Sequence, residues 1–380
     1  MHLLMAGVTA PSHIYPSLAL ITELVSRGHR VSYVVGDRLA ELVTPTGAGV
    51  IEHPSILPDS DTAWPDDPGE AMQLFLDEAI AALPRVLESD RPDAVLYDIG
   101  GLAGPVAAHH WDVPAIQLSP TYVKWEGYDE EMAEFFRELK ASPSGRRYYS
   151  TVRSWLDANG IARETDSFLG EPEECVALMP RRLQPNADHV DPRIRFTGPC
   201  IDESRFTGWS PQPGDSRPLV YVALGTAYTD EPEFYRACIE ALSPGFRLVM
   251  STGKVDPDSL GDLPHGVVAA RTQPQLDVLR HASVFITHAG MGSAAESLWF
   301  GVPTVAVPQA VDQFTNAAQL EQSGSGVHLP KEEVNPDSLL AAVRTASGLA
   351  GRAAELRTEV RQHGGVGASA DEIERLANQS

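Results

Sequence analysis

HAGMGSAAES, residues 288–297, follows the apolar run Val284 to Thr287 and precedes a stretch without a breaker until Gly301. Strand, glycine-rich turn and helix, in that order, gather bare amide N–H groups and the positive end of a helix dipole at one spot, which suits a phosphate. A dinucleotide, a triphosphate and a nucleotide-sugar would each fit such a turn. Gly290, Gly292 and Ala295 form a GxGxxA variant, and Asp312 lies about twenty residues on, which nearly completes a dinucleotide fingerprint. Two details oppose that reading. The turn comes after several strands of its own domain, and Asp312 falls four residues beyond Pro308, past the strand tip where a ribose-binding acid belongs. A tight turn with no ligand is the bland alternative. The triphosphate motif fails, because STGKV has no Ser or Thr after Lys254.

Working outward, short apolar runs recur: LLMAG (3–7), VSYVVG (31–36), AVLYDI (94–99) and AIQLS (115–119), then LVYVALG (219–225), RLVMST (247–252), VFITH (284–288) and TVAVP (304–308). Helical patterns lie between them. The first is PSLALITELVSRG, with Leu18, Ile21, Leu24 and Val25 on one face, Pro16 near its start and Gly28 past its end. Alternation of this kind predicts parallel sheets covered by helices. The rhythm breaks over residues 201–218, which are polar, rich in Pro and Gly and without apolar period. The expected organisation is an α/β protein with a first Rossmann-like domain over 1–200, a linker over 201–218, a second Rossmann-like domain over 219–362, and a terminal helix within 363–380 that returns to the first domain. Two such open sheets, facing each other, would leave a cleft at the carboxyl ends of their strands.

The 380 residues carry a formal net charge of −23, which argues against a nucleic-acid or anionic-membrane partner and makes any phosphate site a local construction. Cys175, Cys200 and Cys238 make no CxxC pair, and the N-terminus has no basic segment before its short apolar run. No window nears about eighteen apolar residues. A cytoplasmic protein is the expectation.

His13 follows the first strand, three residues before Pro16, and Asp98 ends another strand. A turn histidine with a structural hydrogen bond is the plain reading of His13. The carboxylate adds a second: bound to one imidazole nitrogen, it orients the ring and raises the basicity of the other, so that the pair can deprotonate a hydroxyl. No G-x-S-x-G elbow occurs. Metal motifs are poor: there is no HExxH, and the D-x-D strings at 59–61 and 256–258 read as solvated loops.

Together these residues resemble the inverting family 1 glycosyltransferases of GT-B architecture, most closely the bacterial macrolide (oleandomycin-type) enzymes of antibiotic producers. The likeness runs along nearly the whole chain, in SHIYPSLALITELVSRGHRVSYVV, LSPTYVKWEGYDEEMAEFF, VALGTAYT, PQLDVLRHASVFITHAGMGSAAESL and GVPTVAVPQAVDQFTNA. It implies that His13 is the general base and Asp98 its orienting partner. It implies that Gly225 and Thr226 touch the phosphates, and that His288, Gly290, Met291, Gly292 and Ser293 hold the diphosphate. Glu296 would bind the ribose diol, Asp312 and Gln313 the sugar hydroxyls, and Gln275 with the backbone near Gln273 the base. Thr272 stands where related enzymes carry a base-stacking Trp, which loosens the choice between uridine and thymidine. No metal and no cofactor are expected beyond the nucleotide-sugar co-substrate, because fixed dipoles and a histidine can receive the leaving diphosphate.

Asp312 and Gln313 offer partners to several hydroxyls, which favours a fully hydroxylated hexose from UDP-glucose over a dTDP-deoxysugar. For the acceptor, Tyr122 and Trp125 follow the strand AIQLS, and Trp64, Met72 and Phe75 lie in a loop and an apolar helix of the same domain. Phe135 and Phe136 add bulk, with ordinary core as the competing reading for them and Phe75. An apolar pocket of that kind would take a macrolide, polyketide or flavonoid. The expected activity is hexosyl transfer to a lipophilic natural product, serving self-resistance or tailoring. The competing readings are a biosynthetic dTDP-deoxysugar transferase, a dinucleotide-dependent oxidoreductase, and a noncatalytic binding module of the same fold. Oligomeric state is not readable from the sequence.

Overall fold

A computed structural model describes residues 1–58, 64–225, 229–310 and 312–379. Contacts divide the chain into two units. One comprises Met1–Met179, Asn186–Cys200 and Gly364–Ser380, the other Pro180–Pro185 and Ile201–His363.

In the first unit, the described residues form seven strands: β1 (His2–Ala6), β2 (Arg30–Gly36), β3 (Gly49–His53), β4 (Ala94–Asp98), β5 (Ala115–Ser119), β6 (Glu174–Ala177) and β7 (Arg195–Phe196). They lie in the order β3-β2-β1-β4-β5-β6-β7, each parallel to its neighbour. β1 is central, with Leu3 paired to Val31 on one side and Ala94 on the other. Successive side chains of a strand point to opposite faces. Leu3 and Met5 therefore join Ile14, Ile21 and Leu24 of the helix Pro11–Ser26 and Ile373 of the helix Gly365–Ala377. Leu4 and Ala6 join Leu76, Val106 and Val152 from helices on the other face. Burial on both faces is why β1 reads as an unbroken apolar run rather than an alternating one.

The first helix differs from its expected start. It begins at Pro11, not near Pro16, so His13 sits in its first turn rather than in a loop before it. Pro11 occupies the first helical position, where a missing N–H costs nothing, and Pro16 is carried inside the helix. The helix ends at Ser26, and Gly28, with φ 87°, lies just past its end as expected. The Gly28 and His29 amides cap the Val25 and Leu24 carbonyls at 2.9 and 3.1 Å, closing a Schellman motif.

The second unit holds six strands among the described residues: β8 (Leu219–Ala223), β9 (Arg247–Ser251), β10 (Val267–Ala270), β11 (Val284–Thr287), β12 (Thr304–Ala306) and β13 (Gly326–His328). Their order is β10-β9-β8-β11-β12-β13, again parallel throughout. Val220, Val222, Leu248 and Ile286 pack on one face, Tyr221, Val249 and Phe285 on the other. Each unit is thus a Rossmann-like parallel sheet, and the fold class is α/β.

Residues 201–218, expected as a linker, pack on the second unit. The Thr207 amide donates to Asp277 at 2.7 Å, and Trp209 lies against the Leu219–Phe285 cluster. Their polarity reflects surface hydrogen bonding, not a free tether. Pro180–Pro185, inside the expected first domain, clusters with the second unit, where Arg182 makes paired bonds of 2.9 and 3.0 Å to Glu359. No described helix is long and apolar enough to cross a membrane.

Candidate functional site

In each sheet the strand order reverses once, between β1 and β4 and between β8 and β11. Ligands of open α/β sheets bind beyond the carboxyl ends of the strands at such a point. The residues singled out by sequence stand there: His13 after β1 and Asp98 at the end of β4, Gly225 after β8 and His288 after β11.

At the first reversal, His13 Nδ1 lies 2.7 Å from Asp98 Oδ1, which also accepts the Gly100 amide at 2.9 Å. Asp98 is 2% exposed, and the His13 side chain 22%. The contact assigns the Nδ1 proton to the carboxylate and leaves the Nε2 lone pair for another molecule. Burial pulls the His13 pKa down, but the Asp98 charge and hydrogen bond outweigh it, so the ring titrates above its ordinary value. Such a pair can take a proton from a hydroxyl.

The expected acceptor residues separate into two groups. Met72, Tyr122 and Trp125 line a pocket of about 1180 Å³ together with Ile99, Phe136 and Tyr149, all within the first unit. The Trp125 and Tyr128 rings meet edge to face at 4.8 Å. Phe75 lies instead beside the histidine, its ring centroid 6.0 Å from that of His13, and Trp64 packs on Phe75 at 5.2 Å. Phe136 faces the pocket, whereas Phe135 is among the exposed apolar side chains.

At the second reversal, the helix Met291–Phe300 has Gly290 as N-cap. Its first internal bond is from the Ala294 amide to the Gly290 carbonyl, so the Met291, Gly292 and Ser293 amides have no helical partner. A Cβ on Gly292 would meet nothing within 4 Å. A Cβ on Gly225 or Gly290 would come within 2.5 Å of the His288 ring, and Gly225 also has φ +80°. Those two glycines exist so that the imidazole can lie against backbone. Between them Ala289 takes φ 61°, a left-handed conformation that costs an alanine energy. Burial alone lowers the His288 pKa to about 4, so this ring is neutral near pH 7.

Farther along, Glu296 Oε2 accepts from Gln275 Nε2 at 2.5 Å, and Gln275 accepts from the Tyr221 hydroxyl at 3.2 Å. Burial raises the Glu296 pKa against the opposing pull of Gln275 and Arg205. Arg205, 4.0 Å from Glu296, went unnoticed in the sequence because it lies in the stretch taken for a linker. Thr272 is exposed and Gln273 reaches the Met250 carbonyl at 3.3 Å. Asp312 stands at the start of the helix Gln313–Gln322 without a side-chain capping bond, and its carboxylate accepts from the Asn316 amide group at 3.0 Å; burial raises its pKa, and the Asn316 bond opposes this. Gln313 departs from expectation. Its Oε1 accepts the Gln309 and Ala310 amides at 2.8 and 3.1 Å, so this oxygen holds its own loop and only the NH₂ group remains for a sugar. Thr226 lies outside the described residues, as do Asp59 and Asp61, while Asp256 caps a short helical turn by accepting the Asp258 amide. Among the described residues, no group of three or more His, Cys, Asp or Glu comes together as a metal site would need.

Residues 247–367 match the family described as erythromycin biosynthesis protein CIII-like, C-terminal domain. Oleandomycin glycosyltransferase of Streptomyces antibioticus is 41% identical over 389 residues, covering 98% of this chain and 90% of that protein. The NDP-glycosyltransferase YjiC of Bacillus subtilis (strain 168) is 33% identical, covering 100% of this chain and 98% of that one. The crystal structure of the glycosyltransferase of kitacinnamycin superposes with a TM-score of 0.92 at 40% identity, covering 99% of this chain and 98% of that chain.

Proposed function

From the premise that the chain belongs to the glycosyltransferases of macrolides and related natural products, we propose that it is an inverting hexosyltransferase acting on a hydroxyl of a lipophilic acceptor, with UDP-glucose as donor and no metal. The His13–Asp98 contact of 2.7 Å carries the reading. His13 Nε2 takes the acceptor hydroxyl proton as that oxygen bonds to the anomeric carbon. The bond from that carbon to the diphosphate oxygen breaks with its electron pair, and the centre inverts. The free amides of Met291, Gly292 and Ser293 receive the departing charge, and neutral His288 adds a hydrogen bond. Glu296 takes the ribose hydroxyls and Asp312 the sugar. The pocket of about 1180 Å³, walled by Tyr122, Trp125 and Phe136, has room for an acceptor of macrolide size. A nucleotide-sugar and a hydrophobic antibiotic or polyphenol are thus the two partners, in a cytoplasmic role of tailoring or self-resistance.

A second donor reading has its own observation. Because the Gln313 carbonyl is spent on the backbone, one of the two groups that favour a fully hydroxylated sugar loses half its bonding capacity. That supports a dTDP-deoxysugar as the alternative donor. Mass spectrometry of products separates the two. Purified protein is given UDP-glucose or a dTDP-sugar, with chelator and without, against macrolides, flavonoids and simple phenols. A hexose adduct from UDP-glucose that persists with chelator and vanishes in His13→Ala is the expected result. Transfer only from the dTDP donor reverses the donor assignment. Loss of product in chelator overturns metal independence.

A further inference from the structure

Glu78 is a carboxylate 5% exposed on the helix Pro68–Leu87, and nothing in the reaction as described uses it. Burial of such a group is costly unless every lone pair is satisfied. Here three donors converge on it. Oε1 accepts the Thr9 hydroxyl at 2.7 Å and the Ser55 hydroxyl at 2.9 Å, and Oε2 accepts the Ile56 amide at 2.8 Å. Its one ion-pair neighbour among the described residues is His53, 3.9 Å away. Thr9 passes the constraint on, because its hydroxyl also accepts the Gly36 amide at 2.9 Å.

Those partners are the segments that leave β1, β2 and β3 at their carboxyl ends. Thr9 precedes Ala10, the N-cap of the helix whose first turn carries His13, and the Ala10 carbonyl accepts the His13 amide at 3.0 Å. One turn before Glu78, Phe75 packs beside the His13 ring. We propose that Glu78 is a positioning residue for His13: its carboxylate ties Thr9, Ser55 and Ile56 to the helix that bears Phe75, and so fixes the turn from which His13 reaches Asp98. The proposal rests on His13 as general base only in its consequence for turnover; the positioning of the ring stands apart from it. A carboxylate suits the task because all three partners donate. Glutamine would turn an NH₂ group toward at least one of them.

The test uses Glu78→Gln, Thr9→Val and Thr9→Ser in the full chain, with two readouts. The first is the NMR titration of the His13 imidazole, which reports the Asp98 contact without any reaction. In Glu78→Gln and Thr9→Val the ring is expected to titrate at lower pH than in the wild type; Thr9→Ser, which keeps the hydroxyl, is expected to restore the wild-type value. The second is kcat with its pH profile. It should fall by roughly tenfold or more in Glu78→Gln at little changed donor KM, because small misplacement of a reacting group is costly, and its acid limb should move down with the ring. A Glu78→Gln protein that is less stable but keeps the wild-type His13 titration overturns the proposal. Retained turnover in His13→Ala would instead overturn the general-base reading, and the imidazole titration would still decide the role of Glu78.

Discussion

Two histidines occupy equivalent places in the two units. Each follows a strand at the reversal of its sheet and stands at or just before the start of a helix. Their surroundings drive them apart. His13 has a buried carboxylate at 2.7 Å and a raised pKa; His288 has the backbone of Gly225 and Gly290 against its ring, no carboxylate partner among the described residues, and a pKa lowered to about 4. The same side chain is thereby held against a carboxylate with its Nε2 left open in one unit, and is neutral near pH 7 in the other. Position in the fold chooses where a histidine stands; its neighbour chooses what it does.

The largest expected effect of disturbing this contrast is on turnover. His13→Ala should reduce it about 10²–10⁴-fold, the usual contribution of a general base, whereas His288→Ala should lower turnover less, by removing one hydrogen bond to the departing diphosphate, and raise donor KM as well; product formation by mass spectrometry measures both. Asp98→Asn should cost less than His13→Ala and make the first histidine resemble the second, its NMR titration moving down in pH. If the ring titrates unchanged, Asp98 is not its determinant. The pH dependence of stability distinguishes the pair by sign. Between pH 6.5 and 4 the unfolded chain protonates His288 and the native one does not, so acidification across that window removes up to about 3 kcal/mol. His13 has the opposite sign: its contribution is complete below 6.5 and is lost as pH rises through its raised native value. Urea unfolding of wild type against His288→Asn and His13→Asn isolates each. The smallest effect is expected from Gly225→Ala, where φ +80° and the approach to His288 together should weaken donor binding by about tenfold.

Much of this was legible in the sequence. The central strands β1, β4, β8 and β11 are buried on both faces, so each appears as a continuous apolar run, and the candidate site residues stand at or follow the ends of those runs. The strands that did not stand out are the edge strands β3, β7, β10 and β13, together with the short β6. Edges are half solvated; GVIEH carries a glutamate and β7 has only two residues. Glu78 was not legible either. Its partners lie 69, 23 and 22 residues away, and an acid on an amphipathic helix looks the same whether it faces water or three hydrogen-bond donors. Pro16 misled because proline at a helix start is the common case, yet here Pro11 already fills that place. The dinucleotide reading of Gly290–Asp312 lost its footing with family membership, and the Asp312 carboxylate is bonded to Asn316 of the helix it precedes.

The return of residues 364–379 to the first unit has a consequence for synthesis. The second unit is an insertion within the first: the Gly365 amide meets the Thr197 carbonyl at 2.7 Å, and Ile373 and Leu376 complete the apolar face that Ile14, Ile21 and Leu24 leave open. On the ribosome, the residues of the inserted unit are all made while the first unit still lacks its last helix. The half that begins first is therefore the half that finishes last, and a translation pause before Gly365 would leave a complete second unit joined to a first unit whose core still lacks Ile373 and Leu376.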